Sequence, residues 1–292
     1  MRSDLELHRN RFSWYRSVLH TLLTRVPSFP SLLEIFFKFT RLYSQGVKNT
    51  QDLDVSQNEV FFSSLPYEFD KFRILHLSDL HFDGLVEDNQ HLLDTLKDLQ
   101  YDTCFITGDF LFAENAPSSV FWENLQDLYD TLECPYGVYA VLGNHDTLQI
   151  LPRMEEIGFR FLVNESVEFI KDKSRMTVIG IDDPHYFKTS VIPHYDTSSF
   201  SILLGHSPEF LQEADAAFVD FYLSGHTHGG QIVLPNGFPL FTNIQEKREY
   251  ASGAWKYSKM KGYTSRGIGS SVLPLRFNCK PEVAIHTLRR FY

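Results

Sequence analysis

The chain has little cysteine. Three residues occur in 292, at positions 104, 134 and 279, an odd number without a CxxC pair. That excludes a disulfide-stapled scaffold and a thiolate zinc site, and it fits a reducing compartment. No run reaches the roughly 18 apolar residues of a membrane-spanning helix. The opening residues show no uninterrupted apolar stretch followed by a small-residue cleavage site, so no signal peptide is expected. Positive charge is scarce too. With 27 Lys and Arg against 37 Asp and Glu, the net charge is −10. Such a balance repels phosphate backbones and argues against nucleic acid as a partner. What remains is ordinary globular material, 43% hydrophobic and 15% aromatic, long enough to bury a large core.

The charge is unevenly spread. Residues 1–50 carry eight Lys and Arg against Asp4, Glu6 and Glu34, a net of +5, which leaves −15 on the rest. Within that basic head, Phe12, Tyr15, Leu19, Leu22, Leu23 and Val26 recur at helical spacing among Arg9, Arg16 and Arg25. Pro27 and Pro30 interrupt. Ser31 and Glu34 then form a capping box for a second helix, rich in Phe and Leu, through Tyr43. Residues 44–59 are polar and read as a linker. The expected division is therefore an amphipathic segment, 1–50, and a catalytic body, 51–292.

From residue 72 the texture changes. Short apolar runs at 72–77, 103–107, 138–142, 176–181, 201–204 and 218–223 suit buried strands, and helical stretches at 88–100, 119–132 and 207–215 alternate with them. This pattern predicts an α/β sandwich with a mixed sheet. Nearly every run ends in a polar cluster, and strand ends at one sheet edge share a site. The clusters supply Asp79, His81, Asp109, Asn144, His206, His226 and His228. Imidazole with carboxylate and amide oxygen suits Mn, Fe or Zn. Seven such groups are too many for one ordinary site but suit two cations that share a carboxylate.

These residues fall into five blocks in order: Asp79-Leu80-His81, Gly108-Asp109, Gly143-Asn144-His145-Asp146, Gly205-His206 and Gly225-His226-Thr227-His228. In this the chain resembles the calcineurin-like metallophosphoesterases over roughly residues 72–288. The resemblance implies a sandwich of two mixed β-sheets flanked by helices. It implies two divalent metal ions, with manganese expected ahead of iron or zinc. Asp79, His81 and His228 would hold the first metal. Asn144, His206 and His226 would hold the second, and Asp109 would bridge them. His145 would face the phosphoryl group, and a hydroxide bridging the metals would be the nucleophile.

The protein-phosphatase version of the second block is longer, with a further Asp and an Arg; Gly108-Asp109-Phe110-Leu111-Phe112-Ala113-Glu114 lacks both. The C-terminal features, from Gly229-Gly230-Gln231 through Gly262–269 and Leu273-Pro274-Leu275-Arg276-Phe277, instead resemble the membrane-associated YkuE-type branch. That branch includes a UDP-2,3-diacylglucosamine pyrophosphatase of lipid A biosynthesis, which releases UMP and 2,3-diacylglucosamine 1-phosphate. The implied partners are a nucleotide-sugar lipid and an anionic membrane surface. The basic aromatic head would then lie at the cytoplasmic face of the inner membrane, each basic group contributing about 1 kcal/mol; packing of the head on the body is the plainer alternative. Arg266 and Arg276 are candidate phosphate contacts, with Lys188 weaker, because a guanidinium grips phosphate in two places. A surface salt bridge is the alternative for each. Two other functions stay open: a phosphodiesterase acting on soluble nucleotides or cell-wall diesters, and a non-catalytic metal-binding scaffold. His76, His91, His185, His194 and His286 lie outside the motifs. Asp182 and Asp183 could orient a ligand or simply make a turn.

Overall fold

Alternation along the strands builds the architecture. In the computed structural model, residues 2–3, 6, 35–40, 42–84, 89–112, 117–271 and 273–291 are described. One sheet holds β1 (Asp54–Phe62), β12 (Glu282–Arg290), β2 (Arg73–Leu77), β3 (Thr103–Ile106), β4 (Val138–Ala140) and β5 (Arg160–Phe161), in that spatial order. The other holds β10 (Gly253–Tyr257), β11 (Met260–Thr264), β9 (Phe221–Ser224), β8 (Phe200–Leu204), β7 (Ser174–Gly180) and β6 (Glu165–Lys171). Both sheets are mixed. β2 to β5 run parallel while β12 opposes β2; β7, β8, β9 and β11 run parallel while β6 and β10 oppose their neighbours.

Successive side chains point to opposite faces, and three apolar layers result. Ile74, Phe105, Ile202, Leu204, Phe221 and Leu223 meet between the sheets. Leu75, Leu77, Cys104 and Ile106 face outward against α2 (Gln90–Lys97), α3 (Ser119–Thr131) and α4 (Leu151–Ile157). Leu203 and Tyr222 face the other way, against Leu211 and Ala214 of α5 (Leu211–Ala216). The expected sandwich of two mixed sheets with flanking helices is what forms.

The stretch 44–59 is not a linker. It holds α1 (Leu42–Asn49) and most of β1. β1 pairs in parallel with β12 at the margin of its sheet. Its residues are mostly half-exposed, so it lacks the apolar run by which the other strands are recognised. β5, β6, β10, β11 and β12 likewise lie outside the expected strands. α1 also places part of the basic head on the body: Gly46 O accepts from Arg276 N at 3.0 Å, and the Phe37 ring stacks on Phe277 at 4.9 Å. The helix expected over 8–26 and the capping box at Ser31 lie outside the described residues. Among the described residues no helix is long and apolar enough to cross a membrane.

Candidate metal centre

The C-terminal ends of five parallel strands meet at one rim. β2 leads into Asp79 and His81, β3 into Asp109, β4 into Asn144 and His145, β8 into His206, and β9 into His226 and His228. Five of these residues bend sharply out of their strands: Asp79, His81, Asp109, His226 and His228 have φ between 48° and 71°. Each such left-handed residue costs about 1 kcal/mol, and strain of this kind gathers at functional sites. The loops also need glycine. A Cβ on Gly225 would lie 1.8 Å from Ser78 Oγ and 2.5 Å from Asp79 Oδ2.

Two groups result, Asp79 with His81 and His228, and Asp109 with His206 and His226, all buried, with the candidate ligand atoms of each within 4.8 Å of one another. Asn144 joins the second through Oδ1, 3.0 Å from His206 Nε2. Asp109 Oδ2 lies between them, 3.2 Å from His206 Nε2 and 3.8 Å from His81 Nε2.

Carbonyl groups decide which ring nitrogens face inward. Nδ1 of His81 donates to Leu111 O at 2.7 Å, Nδ1 of His206 to Thr107 O at 2.7 Å, and Nδ1 of His228 to Gly269 O at 3.3 Å. His226 is reversed: its Nε2 donates to Asn243 O at 3.0 Å, which leaves Nδ1 inward. Such outer hydrogen bonds set the tautomer of a metal-binding imidazole. The inward Nε2 atoms of His81 and His228 are therefore lone pairs facing lone pairs. His81 Nε2 and His228 Nε2 are 3.3 Å apart, and His228 Nε2 is 3.3 Å from Asp79 Oδ1. Acceptors crowded this closely repel one another unless a cation lies among them, and the donor set is the one that borderline divalent metals take. The residues fit two such ions.

The electrostatics agree. Burial keeps His81 neutral, with its pKa lowered to about 4. Burial and neighbouring imidazoles lower His226 and His228 well below the usual range. Burial opposes charge on His206 as well, yet Asp109 and Asp79 raise it to about 10. Burial alone would raise Asp109, but His206, His145 and His81 hold it well below an ordinary carboxylate. The cluster attracts positive charge.

His145 sits at the margin of the cluster. Its backbone N donates to Asp109 Oδ1 at 2.9 Å, its Nδ1 donates to Phe112 O at 2.7 Å, and its ring lies 5.4 Å from that of His81.

Arg266 and Arg276 are engaged elsewhere. Arg276 is fully buried, and its Nη2 donates to the carbonyls of Arg266, Gly267 and Gly269 at 2.6–3.1 Å. It braces the loop behind His228 and has no face toward substrate. Arg266 pairs with Asp54 at 2.7 Å and Glu282 at 3.0 Å. Two residues without an assigned role prove central. Asp146 closes the third block: Oδ2 accepts from the N–H groups of Asp109 and Gly143, and Oδ1 from Phe110 and Leu111, at 2.8–3.1 Å. One carboxylate thus ties the second and third loops together. Its place within the block was the available signal. His185, which no motif marks, lies ring to ring with His226 at 4.3 Å and pairs with Glu209 at 2.8 Å. Asp183 accepts from the N–H groups of His185, Tyr186 and Phe187 and so makes the turn that carries this ring. His76 and His286 form a buried pair between the sheets, with ring nitrogens 3.3 Å apart.

Fold and site together define a class: an α/β-sandwich phosphoesterase with a dinuclear metal centre at the strand ends. The chain belongs to the calcineurin-like phosphoesterase family, whose model matches residues 72–230. It is 30% identical to the uncharacterized metallophosphoesterase YkuE of Bacillus subtilis, over 81% of this chain and 86% of that protein. It is 31% identical to YkoQ of the same organism, over 82% and 92%. It is 28% identical to the phosphodiesterase YaeI of Escherichia coli, over 73% and 81%.

Proposed function

We propose that Asp79, His81 and His228 hold one divalent cation, that Asn144, His206 and His226 hold a second, and that Asp109 serves both. The two buried ligand groups on either side of Asp109, with the crowded lone pairs of His81, His228 and Asp79 in the first, carry this reading. When bound, such a pair of ions neutralises phosphoryl oxygens and lowers the pKa of water. The chain supplies the rest. Asp146 keeps the two central loops in register, and His145, oriented by Phe112 O, gives a proton to the departing oxygen.

The proposed bond is a phosphodiester or diphosphate, and the proposed substrate is UDP-2,3-diacylglucosamine, split into UMP and 2,3-diacylglucosamine 1-phosphate. The relative named a phosphodiesterase supports the bond. The surface beside the site supports an acylated substrate. A cavity of about 250 Å³ runs from His226 and His228 past Phe241 and Asn243 to Ile232 and Leu273. Ile232 and Leu273 pack with Phe37, and next to Phe37 the side chains of Ile35, Phe36 and Phe39 are exposed, Phe39 to 90%. Phe238 is exposed as well, under the Arg248 guanidinium at 4.2 Å. Aromatic and basic groups together suit a lipid interface.

The experiment is a substrate panel with Mn²⁺: UDP-2,3-diacylglucosamine, a soluble UDP-sugar and bis(p-nitrophenyl) phosphate, with binding to anionic liposomes measured in parallel. Release of UMP from the lipid faster than from the soluble sugar supports the reading. Turnover of soluble diesters alone moves the assignment to the soluble phosphodiesterase.

A further inference from the structure

Arg2 stands far from the motifs in sequence yet is only 5% exposed. Its Nη2 donates to two carbonyls, Gly143 O at 2.9 Å and Asp146 O at 2.6 Å. Those two carbonyls flank Asn144 and His145. Its Nη1 donates to the Asp182 carboxylate, and its guanidinium lies 4.3 Å over the Phe187 ring. Its Nε donates to Glu6 at 2.9 Å, and Glu6 in turn accepts from Leu148 N at 3.2 Å. One side chain therefore reaches both loops that border the second metal-ligand group. One loop carries Asn144 and His145. The other carries His185, which lies against His226.

We infer that Arg2 is a positioning residue for the second metal site: from behind, it closes the turn that presents Asn144 and His145. This rests on the reading that Asn144, His206 and His226 hold a cation. A planar fork can hold two carbonyls and a carboxylate at once; an ammonium cannot match that geometry. Without the fork, both carbonyls and Asp182 lose a buried partner, and the turn is free to shift away from His206. The first group shares only Asp109 with this turn; its own three ligands have other holds. Asp79 is held by Ser78 Oγ at 2.7 Å and by His226 N, His81 by Leu111 O, and His228 by Gly269 O beside Arg276.

The test is titration of the metal-free full chain with Mn²⁺ by calorimetry, for the parent, Arg2→Ala and Arg2→Lys. The parent should bind two ions. In R2A the second should bind at least tenfold more weakly, and the first, which shares only Asp109 with that turn, should weaken at least threefold less than the second. Free guanidinium ion at non-denaturing concentration should restore much of the loss. On bis(p-nitrophenyl) phosphate with Mn²⁺ held constant below saturation of the weakened site, kcat should fall about tenfold with little change in KM. Should R2A fail to fold, R2K carries the test, with the same selective weakening expected at about threefold. Equal affinities in parent and variant overturn the inference. So does parallel weakening of both sites without rescue, which would make Arg2 a general stabiliser. If the parent takes up no second ion, the dinuclear reading itself falls, and the inference with it.

Discussion

Replacing Asp146 by asparagine keeps the side chain's size and exchanges one acceptor oxygen for an NH₂ group. Each carboxylate oxygen now receives two backbone N–H groups. Whichever way the amide is turned, its NH₂ faces two donors, and two charge-assisted hydrogen bonds are lost inside a fully buried site. Hydrogen bonds to a charged group contribute about 1.5–3 kcal/mol each, so the two lost bonds set an upper limit of about 6 kcal/mol on the stability lost in D146N; burial and Asp109, which push this carboxyl up to about 6, return part of it. The measurement is urea unfolding of metal-free protein followed by circular dichroism, which keeps metal binding out of the comparison. Because the lost bonds join the Asp109 loop to the Asn144 loop, metal analysis should also find less than the parent's content. A loss under about 1 kcal/mol, with full metal content, would refute the claim that Asp146 organises the centre.

Other outcomes follow from the same geometry. His145→Ala should leave metal content unchanged and lower kcat by about 10²–10⁴-fold, the usual contribution of a positioned proton donor. The loss should be smaller for a p-nitrophenolate leaving group, which needs little protonation, than for an alkyl one; equal losses on both would remove the proton from His145. The buried His76 should shape acid stability. Burial lowers it from 6.5 to about 4, so the unfolded chain takes up its proton near pH 6.5 and the folded chain only near pH 4. Stability is therefore full above pH 6.5 and falls as pH drops toward 4, by about 2 kcal/mol between pH 7 and 5 from this one group. His76→Gln should lose that much less over the same interval in urea titrations; an unchanged pH dependence would show that His76 keeps no such depressed pKa.

Much of the molecule was legible before folding because its signals are local. A buried strand must be apolar, and the run from Arg73 to Leu77 says so in five residues. The polar cluster that follows it is local as well, so the order Asp79, His81, Asp109, Asn144, His206, His226, His228 could be read directly. β1 could not. A half-exposed strand at a sheet margin has no apolar run, and only its pairing with β12 makes it a strand. The two arginines show the same limit. An arginine suits phosphate and carbonyl oxygen equally, and nothing near Arg276 in sequence says that Gly267 O and Gly269 O will take its fork.

The sequence by itself determined the metal chemistry, since ligand type is a property of single residues and each block is only two to four residues long. Tertiary structure decided everything that depends on which atom faces which. It turned His226 so that Nδ1, rather than Nε2, points inward. It placed Asp109 between the two groups and Asp146 across two loops. It brought Arg2 to Gly143 and Asp182, across more than 140 residues of chain. Hydrogen bonds to backbone carbonyls and N–H groups made most of those choices, and these groups are alike from residue to residue, so only the folded path of the chain distinguishes one from another.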